Sequence, residues 1–233
     1  MSAADEENPF LKSFKDPQAV ANYLSGPPLF VPGFEALHRM TNVLLAERVP
    51  ENGRVMVLGA GGGIELRAMA EFAGGWTFEG VDPAGEMLAL ARVTMGEHAN
   101  RAELVEGYIG DASEGPFDAA VCLLTLHFLE TEERLRTLKE IHRRLKPGAP
   151  FIAAHTCLPT DLNARTLWLD RYAAYARAAG APSEMVAKAR EAVGDMSSLY
   201  PDNVDAALIS EAGFSSVEMF FAALTWRGWI SHA

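Results

Sequence analysis

Cysteine is scarce in this chain: 233 residues carry only Cys122 and Cys157. Both lie in apolar, strand-like stretches, which reads as core packing and excludes a disulfide framework. No cysteine and histidine stand at metal-ligand spacing, so no metal is expected. Positive charge is also in short supply, with 20 Lys and Arg against 31 Asp and Glu, for a net charge of −11. That balance argues against a broad electrostatic grip on DNA or another phosphate backbone, while leaving room for a local basic pocket. No uninterrupted apolar run reaches membrane-spanning length. The first residues are acidic (Asp5, Glu6, Glu7) and lack the apolar core of a signal peptide. The expectation is a soluble, cytoplasmic protein with no membrane partner. Internal repeats and low-complexity tracts are absent.

What the chain does have is apolar residues, 49% of the total. That suffices for one sizeable core, so a single domain over 1–233 is expected. Residues 1–16 are polar and are expected to be mobile. Pro17–Leu24 suits a short helix, and the Pro- and Gly-rich loop to Gly33 breaks it. Phe34–Arg48 carries Phe34, Leu37, Leu44 and Leu45 on or near one helical face. From Arg54 onward strands and helices alternate. Strands are expected at Arg54–Leu58, Trp76–Val81, Ala102–Glu106, Phe117–Leu124 and Phe151–His155. Helices are expected at Ile64–Phe72, Glu86–Met95 and Glu132–Leu145. Such alternation predicts an α/β fold, a parallel sheet with helices on both faces. Residues 160–200 break the pattern and read as two helices, 161–179 and 183–193, an insertion suited to capping a substrate. Strands resume at Val217–Ala222 and Leu224–Ile230, as a hairpin about Ala223.

One segment carries most of the chemistry. Residues 55–63 read Val-Met-Val-Leu-Gly-Ala-Gly-Gly-Gly, and a helix-compatible stretch follows at once. Glycines after a strand let the backbone approach a ligand, because no Cβ intervenes. The dinucleotide pattern G-x-G-x-x-G needs a glycine at Ile64, which opposes a dehydrogenase. Asp82 ends the second strand about twenty residues on. An ionised carboxylate there can accept two hydroxyl protons at once. Its bland alternative is a helix N-cap, and the two roles can coexist.

The G-x-G-x-G loop, Phe78-Glu-Gly-Val-Asp82, Pro83-Ala-Gly-Glu-Met87 and Leu145-Lys-Pro-Gly148 together resemble the class I S-adenosylmethionine (SAM) methyltransferases over roughly residues 50–156. The resemblance implies a Rossmann-like, doubly wound, seven-stranded, mostly parallel sheet of order 3-2-1-4-5-7-6, closed by a C-terminal hairpin. It implies SAM as cofactor and S-adenosylhomocysteine (SAH) as product. Val31-Pro-Gly-Phe34, Thr125-Leu-His-Phe-Leu-Glu130 and Lys188-Ala-Arg190 bring the chain closest to the carboxy-SAM synthase family, whose members use SAM and prephenate. On these resemblances the cofactor-binding residues are Phe34, Gly59, Ala60, Gly61, Gly63, Asp82, Pro83, Met87, Tyr108 and Leu124. Arg190 falls where that family's arginine pairs with the added carboxylate. A homodimer is likewise implied. The chain departs from the pattern at three polar cofactor contacts. Strand one carries Val57 where an acidic residue is usual, Tyr108 replaces an Asp, with Asp111 three residues beyond, and Leu123 replaces an Asn.

His127, just past strand four, could take a proton from a hydroxyl or amine nucleophile, or could simply be packed. His155 on the same rim carries the same alternatives. Arg190 could clamp a carboxylate or pair on the helix surface. Arg165, Arg171 and Arg177 read as surface residues. Trp168, Tyr172 and Tyr175 could line a substrate cavity or pack. The candidate catalytic pair is therefore His127 and Arg190. The leading expectation is a SAM-dependent methyltransferase acting on a small molecule. Carboxy-SAM synthesis and a binding protein without catalysis are the alternatives. DNA methylation is opposed by the charge and by Leu124-Thr-Leu-His127 in place of an Asn-Pro-Pro-Tyr signature.

Overall fold

The computed structural model describes Val20 and residues 23–233. The polar segment 1–16 and most of the helix expected at Pro17–Leu24 lie outside the described residues. Within that stretch Tyr23–Ser25 form a 3-10 turn. The one-turn helix α1 (Pro27–Phe30) follows, and α2 (Phe34–Ala46) starts after Gly33, at φ 72°.

Seven strands make one sheet of order β3-β2-β1-β4-β5-β7-β6. They are β1 (Arg54–Leu58), β2 (Thr77–Asp82), β3 (Ala102–Glu106), β4 (Ala119–Leu123), β5 (Pro150–Thr156), β6 (Ser215–Ala223) and β7 (Trp226–His232). The first five are parallel, and β7 pairs antiparallel with both β5 and β6. The connecting helices are α3 (Ile64–Phe72), α4 (Gly85–Met95), α5 (Thr131–Arg144), α6 (Leu162–Ala178), α7 (Ser183–Asp195) and α8 (Asp202–Glu211). Successive residues of a strand face opposite sides of its sheet. Val55 and Val57 therefore pack with Leu37, Leu45, Leu66 and Met69, under α2 and α3. Met56 and Leu58 pack with Leu138, Ile141, Leu208 and Trp229, under α5 and α8. Both faces are covered, which is why β1 and β4 are almost uniformly apolar.

Two differences from expectation have local causes. Phe117 stands apart from β4 as a lone bridge to Leu145. Helix α8 was not foreseen, because its short sequence puts a charged residue, Asp205, on the buried face. In the insertion, α6 and α7 pack on each other through Ala173, Ala176 and Val186, and hold Leu29 and Phe30 of α1. Arg165, expected at the surface, instead donates to the Met196 carbonyl at 2.7 Å and closes the end of the insertion. No helix among the described residues is long and apolar enough to cross a membrane.

Candidate cofactor and substrate site

Parallel strands release their loops at one edge of the sheet, and in open α/β folds ligands bind there. The glycine loop leaves β1 at this edge with Gly59, Gly61 and Gly63 all at positive φ, 75°, 45° and 79°. A Cβ on Gly59 would lie 2.0 Å from Thr125 Oγ1, so this glycine is required by packing between the β1 and β4 loops. Ala60 is fully buried behind the loop.

Asp82 joins the loop to the tip of β2. Its Oδ2 accepts the Gly61 N–H and its Oδ1 the Ala84 N–H, each at 2.9 Å. The N-cap of α4 is Ala84, so Asp82 braces the turn before the helix and does not cap it, and each of its oxygens retains lone-pair capacity for a further donor. Burial raises the Asp82 carboxyl above its usual range, against the pull of these two N–H groups. Met87 is buried, and its methyl would sit 3.7 Å from a Cβ on Gly61. Pro83 is half-buried and Tyr108 is exposed at the β3 end of the rim. Asp111 turns back on its own loop, accepting the Tyr108 N–H at 2.8 Å.

A narrow, partly open cavity lies on the β1/β4 side, lined by Tyr23, Pro27, Phe34, His38, Ile64, Glu65, Leu123 and Leu124. Phe34 and Leu124, expected on resemblance, lie on its wall. Leu124 has a φ of 57°, a strained conformation of the kind found at functional sites. Tyr23, His38 and Glu65 were not anticipated. Tyr23 lies across the loop, so that a Cβ on Gly62 would come within 2.8 Å of its ring. His38 Nδ1 lies 2.8 Å from the Phe34 carbonyl. An acceptor at that distance assigns the proton to Nδ1 and leaves Nε2 with the lone pair. Burial lowers the His38 pKa. Glu65 is pushed up to about 8, by burial first and then by the negative charge of Asp82.

The Glu65 shift has a consequence for stability. Between pH 4.5, the carboxyl's ordinary value, and about 8, the folded protein holds a proton that the unfolded chain has released. Stability should therefore fall as pH rises through that window. Thermal melts of Glu65→Gln from pH 5 to 9 are expected to show a shallower decline than the parent.

The two candidate catalytic residues stand elsewhere. His127 does not line the cavity. It is buried against Phe128, with Trp226 edge-on at 5.9 Å and His155 at 6.4 Å between ring centroids. Burial, then His155 and Arg134, hold it well below its ordinary pKa. Arg190 donates through Nε and Nη2 to Asp170 Oδ1 at 3.0 and 2.7 Å, in an exposed pair across α6 and α7. Tyr172 packs on Phe30 at 5.5 Å, and Arg171 lies over Trp168.

His155, Cys157 and Asp205 form a buried cluster whose ligand-type atoms lie within 4.8 Å of one another. Spacing along the chain gave no hint of it. Arg134 occupies the second Asp205 oxygen, so the cluster already contains its own cation.

The crevice suits a nucleoside bearing an amino-acid tail. The glycines leave the loop open, Asp82 can accept ribose hydroxyls, and Phe34, Leu123 and Leu124 offer an apolar wall. A family profile described as a methyltransferase domain matches residues 55–148. The carboxy-SAM synthase of Chromohalobacter salexigens is 28% identical over 207 residues, 86% of this chain and 76% of that one. The chain carries a divergent SAM methyltransferase domain and is related to the carboxy-SAM synthases. Solved methyltransferases share its fold. The SAM-dependent methyltransferase of Aquifex aeolicus aligns with TM-score 0.60 and 16% identity, over 97% of this chain and 98% of that one. The structure of PigF with SAH aligns with TM-score 0.67 and 19% identity, over 99% of this chain but only 64% of PigF. This methyltransferase thus keeps the strand order and the hairpin expected of its superfamily.

Proposed function

We propose that this methyltransferase binds SAM along the tips of β2, β1 and β4 and methylates a small-molecule acceptor in the cytoplasm. The observation that carries the reading is Asp82, fixed by loop amides at both oxygens and facing the glycine crevice. When bound, SAM supplies a methyl group on a sulfonium, already a reactive donor. The chain's task is then chiefly to orient donor and acceptor and to exclude water. Asp82 and the glycine loop hold the nucleoside, while Phe34, Leu123 and Leu124 keep the amino-acid side dry. His38, the imidazole on the cavity wall, would use the free lone pair of Nε2 to receive a proton from an O–H or N–H acceptor. The net charge of −11 favours a small acceptor over a nucleic acid.

Carboxy-SAM synthesis, the activity named for the relatives, is the second reading. It would need Arg190 to leave Asp170 and reach the site. Leu162, Leu167 and Met185 are exposed on the insertion helices, which supports a homodimer formed through them.

Mass spectrometry of small molecules released from the purified protein tests these readings, together with thermal shifts on adding SAM or SAH. SAM at a hundred times its dissociation constant should stabilise by about 2.7 kcal/mol, roughly 5–11 °C for a chain of this size. Asp82→Asn should weaken that binding about tenfold or more, since it removes a charged acceptor. Released carboxy-SAM would favour the second reading. An empty protein that fails to respond to SAM would favour a binding role without catalysis.

A further inference from the structure

The cavity beside the glycine loop contains a carboxylate that meets no cation among the described residues. Glu65 stands in the first turn of α3 and lines the cavity with Tyr23, Phe34, His38, Leu123 and Leu124. Among the described residues no Lys or Arg lines this cavity. Among the described residues no ion pair involves Glu65, whose carboxylate takes only its own backbone N–H. The negative charge of Asp82 raises the cost of a second negative charge at Glu65. The loop strand itself offers no carboxylate, because Val57 is wholly buried in the apolar core.

A half-buried carboxylate beside a like charge is costly unless something positive joins it. The sheet order says which part of the cofactor would. Strand β2, with Asp82, lies on one side of β1, and β4, with Leu123, lies on the other. A nucleoside held by its ribose at Asp82 and lying along these strand tips would carry its amino-acid tail toward β4, where Glu65 lines the cavity. Resting on the SAM reading above, we infer that Glu65 is the anionic partner of the cofactor's α-ammonium group, and so selects ligands that carry this amino-acid tail. The pairing brings a positive charge to Glu65 and so offsets its repulsion from Asp82. It also makes Glu65 a binding residue, with no part in the transfer step.

Calorimetric titration with three ligands tests this. SAM and SAH both carry the ammonium, but only SAM carries the sulfonium charge. 5′-Methylthioadenosine keeps the nucleoside and lacks the whole amino-acid tail. Glu65→Gln is expected to weaken SAM and SAH by the same factor, about 10- to 100-fold, and to leave 5′-methylthioadenosine within about twofold of the parent. Glu65→Asp, which keeps the charge on a shorter stem, should recover part of the loss. Unchanged affinity of Glu65→Gln for SAM and SAH would overturn the assignment while leaving SAM binding intact. Loss for SAM alone would overturn it in favour of the sulfonium, and equal loss for all three ligands would assign Glu65 to the shape of the loop. If the parent binds neither SAM nor SAH, the reading of the site falls, and this assignment falls with it.

Discussion

Arg134→Met should destabilise the protein by about 3–5 kcal/mol, the usual cost of removing one partner of a buried ion pair. In a chain of this length that lowers the melting temperature by roughly 6–20 °C. Arg134 and Asp205 are each only 1% exposed and pair directly. Arg134 also donates to the Leu129 carbonyl at 2.9 Å and to the Ser198 carbonyl at 2.6 Å. Burial pushes the Asp205 carboxyl up, but His155 and Arg134 pull harder, and it ends below its ordinary value. Methionine fills similar space but leaves that carboxylate buried beside only His155 Nε2 at 3.1 Å and Cys157 Sγ at 3.3 Å. The double variant Arg134→Met/Asp205→Leu should recover much of the loss, because it removes both charges together. Thermal melts of the two variants decide it, and a single variant as stable as the parent would show that the pair contributes little. The pair also bears on the site. Ser198 donates to the His127 carbonyl at 2.6 Å, so Arg134 ties the end of the insertion to the loop after β4. Loss of SAM affinity in Arg134→Met, measured below its lowered melting point, would report that connection.

The parts legible in the sequence were those governed by local pattern. Doubly covered parallel strands leave continuous apolar runs, so β1 and β4 could be placed to within a residue or two, except where Phe117 detaches to bridge Leu145. The glycine loop and Asp82 share one βαβ unit, and their hydrogen bond spans 21 residues. The residues that were missed depend on contacts between distant segments. Tyr23 reaches the loop because the N-terminal segment folds back over it, anchored where Trp226 Nε1 donates to the Phe30 carbonyl at 2.9 Å across 196 residues. His38 and Glu65 meet in one cavity only because α2 and α3 cover the same sheet face. His127 is enclosed by a tryptophan of the C-terminal hairpin, which no spacing after β4 could disclose. Arg190 is held by Asp170 only because α6 and α7 lie side by side. Family position placed it in the insertion, and the position alone could not say which carboxylate it would face.

Neighbouring glycines of the loop should respond very differently to the same substitution. Gly63→Ala is expected to be severely destabilising. At φ 79° an alanine would be strained, and its Cβ would lie 2.8 Å from the Ala91 Cα and 2.9 Å from the Ala91 Cβ, where α3 crosses α4. Strain of this kind costs about 1–3 kcal/mol, and overpacking adds about 1–3 kcal/mol. Relief requires the two helices to part, because the obstacle is backbone and not the tip of a side chain. Ala91→Gly should therefore rescue Gly63→Ala only in part, since it removes the Cβ and leaves the Cα in place. Gly61→Ala carries comparable backbone strain at φ 45°, but its nearest obstacle is the Tyr23 hydroxyl at 3.2 Å, the end of a movable side chain. Its stability loss should stay near the strain term alone, while the new methyl intrudes between Asp82, Met87 and the crevice. Urea titrations should thus rank Gly63→Ala well below Gly61→Ala in stability. SAM titrations should find Gly61→Ala folded yet impaired in binding. Equal stability of the two variants would mean that α3 and α4 separate easily, and the close backbone approach at Gly63 would no longer account for the glycine.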